Sequence, residues 1–345
     1  MYMVGCCKAA DICDSPYSIS IISERLVCRM DKNTKLKAAV HRADLKKRIL
    51  ARWQLYILLV IPIIYIVIFA YVPMTGLLLA FKDYSVRKGI FQSEWVGLEN
   101  FIKFFNSYKF WQVLKNTLTI SFYSLLASFP IPLFFALVLN AFPLKKYTRT
   151  IQTVTYIPHF ISTVIMVGLI TQLLSYRTGI YGTLYTLFTG GTAPNILASG
   201  LLFKHIYVWS GIWQNTGYNA IIYIAALTNI DPSLHEAAMI DGATRLQRIR
   251  YIDFPGILPT ATILLILATG NIMNLGYEKV LLMQNDLNIN YSEIISTYVY
   301  KVGLASGITD FSLSTAISLF NSVINFTLLF SVNWIAKRIN GSGIF

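Results

Sequence analysis

Charge is what this sequence has least of. Only 13% of its 345 residues are Asp, Glu, Lys or Arg, while 55% are hydrophobic. A soluble domain carries about 25% charged residues, so the composition excludes a water-soluble globular chain and defines an integral membrane protein. Acids are the scarcer sign, 16 against 29 bases, for a net charge of +13. No Asp or Glu stands in the interior of the long apolar runs. That argues against a stand-alone secondary carrier or channel built on buried carboxylates. Cysteine is confined to Cys6, Cys7, Cys13 and Cys28, all before Met30. No Cys-x-x-Cys or His-Glu-x-x-His framework exists, so no metal site is expected. The stretch Met1–Gly5 is short for the apolar leader of a lipoprotein cysteine, so no such anchor is expected. There is no Gly-x4-Gly-Lys-Ser/Thr phosphate loop, hence no P-loop ATPase in this chain. The runs also lack the clustered nucleophile, base or metal ligands of an intramembrane enzyme, and no catalytic residue is assigned. Long soluble domains, low-complexity linkers and evident internal repeats are missing too.

What is present is a series of apolar runs. A span needs about 20 apolar residues. Six are expected: Trp53–Phe81, a second bracketed by Lys115 and Lys145, then about 151–175, 202–228, 256–277 and 311–336. Lys46, Lys47, Arg48 and Arg52 precede the first, Lys145, Lys146 and Arg149 follow the second, and Lys337 and Arg338 follow the last. The positive-inside rule then places both termini in the cytoplasm of a multi-pass protein. The acids Glu278, Asp286, Glu293 and Asp310 collect in a stretch read as outside. A basic chain can signal nucleic acid, but these bases sit beside apolar runs, so the anionic membrane leaflet is the simpler partner. Residues 1–52 form a basic cytoplasmic segment whose first 29 residues carry little pattern; 53–340 form the membrane body. Composition changes abruptly at Met30, which leads to the expectation that translation starts there. Trp95, Phe101, Phe104, Phe105 and Trp111 are expected to anchor an outside segment at the interface. His159 is expected to be a packed residue rather than a metal or proton site.

The charged stretch Asp231–Pro259 interrupts this pattern. Asp231 and Pro232 open it, with Pro at a tolerated first helical position. Ser233 and Glu236 have capping-box spacing, as do Thr244 and Gln247 on the far side of Gly242. Two short helices with a hinge are expected. Arg245, Arg248 and Arg250 alternate with Leu246, Ile249 and Ile252, making a cytoplasmic loop. It can be a rigid docking knob for a partner or an amphipathic helix lying at the headgroups.

Glu236-Ala237-Ala238, three residues, Gly242, nine residues, then Ile252-Asp253-Phe254-Pro255 resembles the EAA loop of ABC importer permeases: EAA, three residues, G, nine residues, I-x-L-P. The departure is Phe254 where Leu is usual. Asp241 and Ala243, flanking the glycine, resemble the sugar-importer form. The resemblance covers Trp53 to the C-terminus and is greatest to permeases for oligosaccharides. It implies an all-α fold of six membrane helices with a cytoplasmic coupling-helix loop, 231–254. It implies that Glu236, Ala237, Ala238, Asp241, Gly242, Ile252 and Pro255 couple the chain to a separate ATPase. It further implies a second related permease chain, two ATPase copies that hold the ATP and Mg, and an extracytoplasmic solute-binding protein at a bacterial cell membrane. No cofactor is expected in this chain itself.

A neutral, hydroxylated cargo is held by amides and aromatic faces. On that chemistry the candidate path residues are Trp213, Asn215, Tyr218 and Asn219 in the fourth span, Asn271 and Asn274 in the fifth, and Asn321 in the sixth. Hydrogen bonding between helices is the competing use of the same side chains.

Overall fold

The computed structural model describes residues 51–340 apart from 306 and 308. The cysteines, Met30 and the basic cluster Lys46–Arg48 lie outside those residues. The chain divides into two units, one ending at Thr75 and one from Gly76 onward.

In the first unit, α1 (Trp53–Ile66) carries no charged residue and none of its residues is buried. It carries Pro62 and widens into a π-helical turn, Val67–Tyr71; the 3₁₀ stretch that follows, Val72–Phe81, continues past Thr75 into the second unit. The whole run, Trp53–Phe81, is 29 residues long, more than the roughly 20 needed to cross a bilayer.

The second unit continues with a small antiparallel ladder: β1 (Lys82–Asp83) pairs with β2 (Glu94–Trp95), Lys82 facing Trp95, around the one-turn α2 (Gly89–Gln92). Next come α3 (Glu99–Phe105), α4 (Phe110–Ser128), α5 (Pro130–Ala141), α6 (Lys145–Tyr156), α7 (Thr163–Leu173), α8 (Ile180–Thr189) and α9 (Gly200–Thr228). They are followed by α10 (Pro232–Ile240), α11 (Arg245–Arg248), α12 (Phe254–Gly270), α13 (Tyr277–Met283), α14 (Ile289–Ser292), α15 (Ile295–Tyr300) and α16 (Phe311–Asn340).

Among the described residues, four helical stretches are long and apolar enough to cross a membrane: Trp53–Phe81, Phe110–Ala141, Arg245–Gly270 and Phe311–Arg338. A fifth is formed if Lys146–Phe160 and Thr163–Leu173, bent by 100° at their junction, count as one span. At the bend the Ser162 hydroxyl accepts the Ile165 N–H at 3.4 Å, starting α7 anew. The expected fourth span coincides with α9, a single 29-residue helix. Its Gln, Asn and Thr side chains dilute its apolar character.

Lipid tails are as apolar as leucine, so helices in a bilayer associate by close packing rather than by escape from water. The core shows this. Ala136 of α5, Ala220 of α9 and Ala261 of α12 are buried together with Leu137, Tyr223 and Ile257. Small residues at the centre let the three backbones approach. A second cluster joins Phe104, Phe110, Val113, Met273, Ile295 and Ile317. Phe104 is therefore not an interfacial anchor. It is 1% exposed and meets Phe110 edge-on at 5.0 Å, because α3 folds back onto α16. Trp95 and Trp111 are exposed.

The stretch read as an outside loop, 278–310, is also more ordered than a loop. Glu293 is buried between Lys109 and Lys301, at 2.7 and 3.0 Å, and the Asn116 amide donates to the carbonyls of Asn290 and Glu293. Paired on both oxygens, the carboxylate can be buried at tolerable cost.

Candidate functional site

Two places concentrate polar chemistry. The first is the connection from α9 to α12. Asp231 is the N-cap of α10: its Oδ1 accepts the Ser233 N–H at 2.9 Å and Pro232 takes the first helical position. That bond holds the Asp231 carboxyl below its ordinary range. Ser233 consequently stands inside the helix, and the expected Ser233–Glu236 capping box does not form; the proline fixes the N-cap two residues earlier, at Asp231. At the other end the Ala243 N–H reaches the Ala238 carbonyl at 2.8 Å and the Gly242 N–H reaches that of Met239 at 3.2 Å. This closure needs a left-handed residue, and Gly242 supplies it with φ of +78°. The Thr244–Gln247 capping box does form: the Thr244 hydroxyl accepts the Gln247 N–H and the Gln247 Oε1 accepts the Thr244 N–H at 2.7 Å. The single turn of α11 then runs through a π-helical turn, Ile249–Asp253, directly into α12. The second short helix is thus the foot of the long one, with Ile252 in the π turn and Pro255 in the first turn of α12.

The loop is pinned from inside. Asp253 is 3% exposed. Its Oδ1 lies 3.3 Å from His235 Nε2 of α10 and accepts the Asn140 amide of α5 at 3.3 Å. None of these three stood out in the sequence, because Asp253 occupies the free position of the I-x-L-P pattern. On the outer side Glu236, Ala237, Asp241 and Gly242 are exposed and Ala238 is half-buried. Glu236 has no ion-pair partner among the described residues. Beside them Leu234, Met239, Ile240 and Leu246 are exposed, Ile240 to 87%.

The second place is a polar seam around Asn274, in the irregular stretch after α12. Its Oδ1 accepts the amides of Asn321 at 3.1 Å and Asn325 at 3.2 Å, while Asn325 Oδ1 accepts the Met273 N–H at 3.0 Å. Asn274 lines two cavities. One, of about 410 Å³, is walled by Tyr277, Ser296, Tyr300, Ser318 and Asn321, and the Asn321 Oδ1 there is buried without a partner. The other, of about 290 Å³, is walled by Ser124, Ser128, Asn215, Asn219 and Lys279. No acidic side chain lines either one.

Asn215, Asn219, Asn274 and Asn321 of the expected path residues therefore line these cavities; Trp213, Tyr218 and Asn271 do not. Trp213 is two residues from Asn215, about 200° around the helix, and is exposed. Tyr218 stacks on His159 at 3.8 Å, whose Nδ1 lies 2.9 Å from Asn215 Oδ1. The Asn271 amide turns back to the Leu267 carbonyl of its own helix. Sequence reasoning missed Lys279, Tyr277, Tyr300 and Ser296, which lie in or beside the stretch read as an outside loop. α13 instead packs against α7 and α15.

Long apolar helices, acid-free polar cavities between them and a rigid charged knob at one connection are the parts of a membrane transport subunit. The chain belongs to the family of binding-protein-dependent transport system inner membrane components, the permeases of ABC importers, whose profile matches residues 121–341. It is 42% identical over 294 residues to Protein LplB of Bacillus subtilis (strain 168), covering 85% of this chain and 91% of that one. It is 39% identical over 312 residues to the polygalacturonan/rhamnogalacturonan transport system permease protein YteP of the same organism, covering 89% and 96%. Among solved structures it is similar to a chain of the bacterial alginate ABC transporter in complex with an alginate pentasaccharide-bound periplasmic protein. There the TM-score is 0.78 at 36% identity, covering 86% of this chain and 99% of that one.

Proposed function

We propose that this chain is the six-span permease subunit of an ATP-driven oligosaccharide importer, and that 231–254 is its docking knob for a separate ATPase. The observation that carries the docking role is the loop itself. It is charged, capped at both ends, closed at Gly242 and pinned at Asp253, yet presents Leu234, Met239, Ile240 and Leu246 outward. Exposed apolar residues on a rigid polar frame fit a protein partner better than a lipid headgroup layer. Glu236, Ala237, Ala238, Asp241 and Gly242 form the docking face, with Ile252 and Pro255 passing its movement into α12.

Carbohydrate cargo is supported by the relatives, one named for polygalacturonan/rhamnogalacturonan transport and one an alginate ABC transporter, and by cavities walled by amides, hydroxyls and tyrosines. The unpartnered Asn321 Oδ1 suits a sugar hydroxyl. Asn215, Asn219, Asn274 and Asn321 are the path residues; Trp213, Tyr218 and Asn271 stand outside the walls of both cavities. The working assembly comprises this chain, a second related permease, two ATPase subunits carrying ATP and Mg, and a solute-binding protein outside, in a bacterial cell membrane with both termini of this chain cytoplasmic. The test is oligosaccharide uptake and ATPase co-purification with Glu236→Lys and Gly242→Asp. Loss of both at normal permease levels supports the reading. Retention of both would mean that the ATPase does not dock here.

A further inference from the structure

One charged side chain, Lys279, walls the smaller of these two cavities. Lys279 lies on α13, outside the long apolar helices, and is one of the residues that wall this cavity, with Ser124, Ser128, Asn219 and Asn274. It donates to the Tyr207 carbonyl at 3.0 Å and lies 4.9 Å from the centre of the Tyr207 ring. An ammonium has three donors, so two remain beyond the bond to Tyr207. A β-carbon at Gly211 would meet Nζ at 3.4 Å, and the glycine leaves the head group room. Among the described residues no carboxylate is ion-paired with Lys279, and the cavity wall carries no other charged side chain. Burial without a counter-charge pushes its pKa down to about 8. A partly buried cation lacking a counter-ion is unfavourable, and the missing charge is supplied most simply by what enters the cavity.

We infer that Lys279 recognises a carboxylate on the cargo, and that the cargo is an oligosaccharide containing uronic acid. A single ammonium matches the single charge of a sugar carboxylate. A phosphate ester carries about −1.5 to −2 at neutral pH and would leave charge unmet here. Of the polar groups that wall the cavity with Lys279, Ser124 Oγ is buried without a partner and is open to a ring hydroxyl. This inference rests on the oligosaccharide-permease reading and adds the class of sugar and the residue that selects it.

The test uses the complete importer in vesicles, with wild-type, Lys279→Gln and Lys279→Arg permease. The probes are short galacturonic and mannuronic oligomers and their carboxyl-reduced, neutral counterparts. Uptake is measured at saturating binding protein, and direct binding of the same probes to the purified membrane complex is measured without it. The expected result is a loss of about tenfold or more for the charged oligomers in Lys279→Gln, in both assays, with neutral oligomers within about twofold and Lys279→Arg close to wild type. Wild-type handling of charged oligomers by Lys279→Gln overturns the inference. So does an equal loss of charged and neutral oligomers in both variants, which marks a structural lysine. Wild-type import of neutral oligomers alone overturns it while leaving the permease reading intact. Wild-type import of no oligosaccharide overturns both.

Discussion

His235 Nε2 lies 3.3 Å from Asp253 Oδ1, joining α10 of the exposed loop to the foot of α12. The Asn140 amide reaches the same oxygen from α5, so three segments meet on one carboxylate. On the proposed docking role, a push on α10 would reach α12 and α5 together through this carboxylate. Removing one partner of a buried polar group costs about 1–3 kcal/mol. His235→Ala and Asp253→Asn should reduce oligosaccharide uptake about tenfold, equivalent to about 1.4 kcal/mol, while ATP hydrolysis by the assembled complex continues. Paired uptake and hydrolysis measurements decide it; full uptake in both variants would show that force travels by another route.

Gly242 closes α10 at φ of +78°. Side chains in that conformation cost about 1–2 kcal/mol, with Asn tolerated better than Ala. Gly242→Ala should weaken co-purification of the ATPase several-fold and Gly242→Asn less. No atom lies within contact distance of an added β-carbon, so the defect should be one of loop shape rather than of folding. An equal defect in the two variants would point instead to contact with the partner.

Asp231 gives the loop a pH dependence with a definite sign. Its carboxyl is held below the usual range by the Ser233 N–H. The folded pKa is thus depressed, so the stabilisation is present above the ordinary carboxylate pKa and is lost as pH falls through the folded value. Protection of the Ser233 amide against hydrogen exchange, corrected for intrinsic rate, should decline in acid in the wild type. It should stay flat in Asp231→Asn, which keeps a capping oxygen without a titrating group. A decline of equal size in the variant would assign the effect elsewhere.

Asn274 and Asn271 should separate cleanly. Asn274→Ala strands the amides of Asn321 and Asn325. Such interhelical bonds average about 0.6 kcal/mol each, so thermal stability should fall modestly and uptake more. Asn271→Ala removes one long bond within its own helix and should be silent in both. Unchanged uptake in Asn274→Ala would remove the seam from the cargo path.

The sequence alone determined the membrane class, the charged loop and the family pattern within it. Each rests on local information: run length, residue spacing along one helix and charge next to an apolar run. It also located Gly242 and the Thr244–Gln247 cap, since turns are built from neighbours. It misplaced the cap at Ser233 because two competing starts, one with a proline, lay side by side. The tertiary structure decided which polar side chains meet. Asn140 and Asp253 are 113 positions apart, and Asn274 and Asn321 are 47 apart; no helical period relates them. The fold also turned Phe104 inward and brought Lys279 from an apparent loop to the wall of a cavity. Helix packing sets those distances, and in a bilayer it depends on close contacts between small residues such as Ala136, Ala220 and Ala261, which hydropathy does not distinguish from the rest of an apolar run.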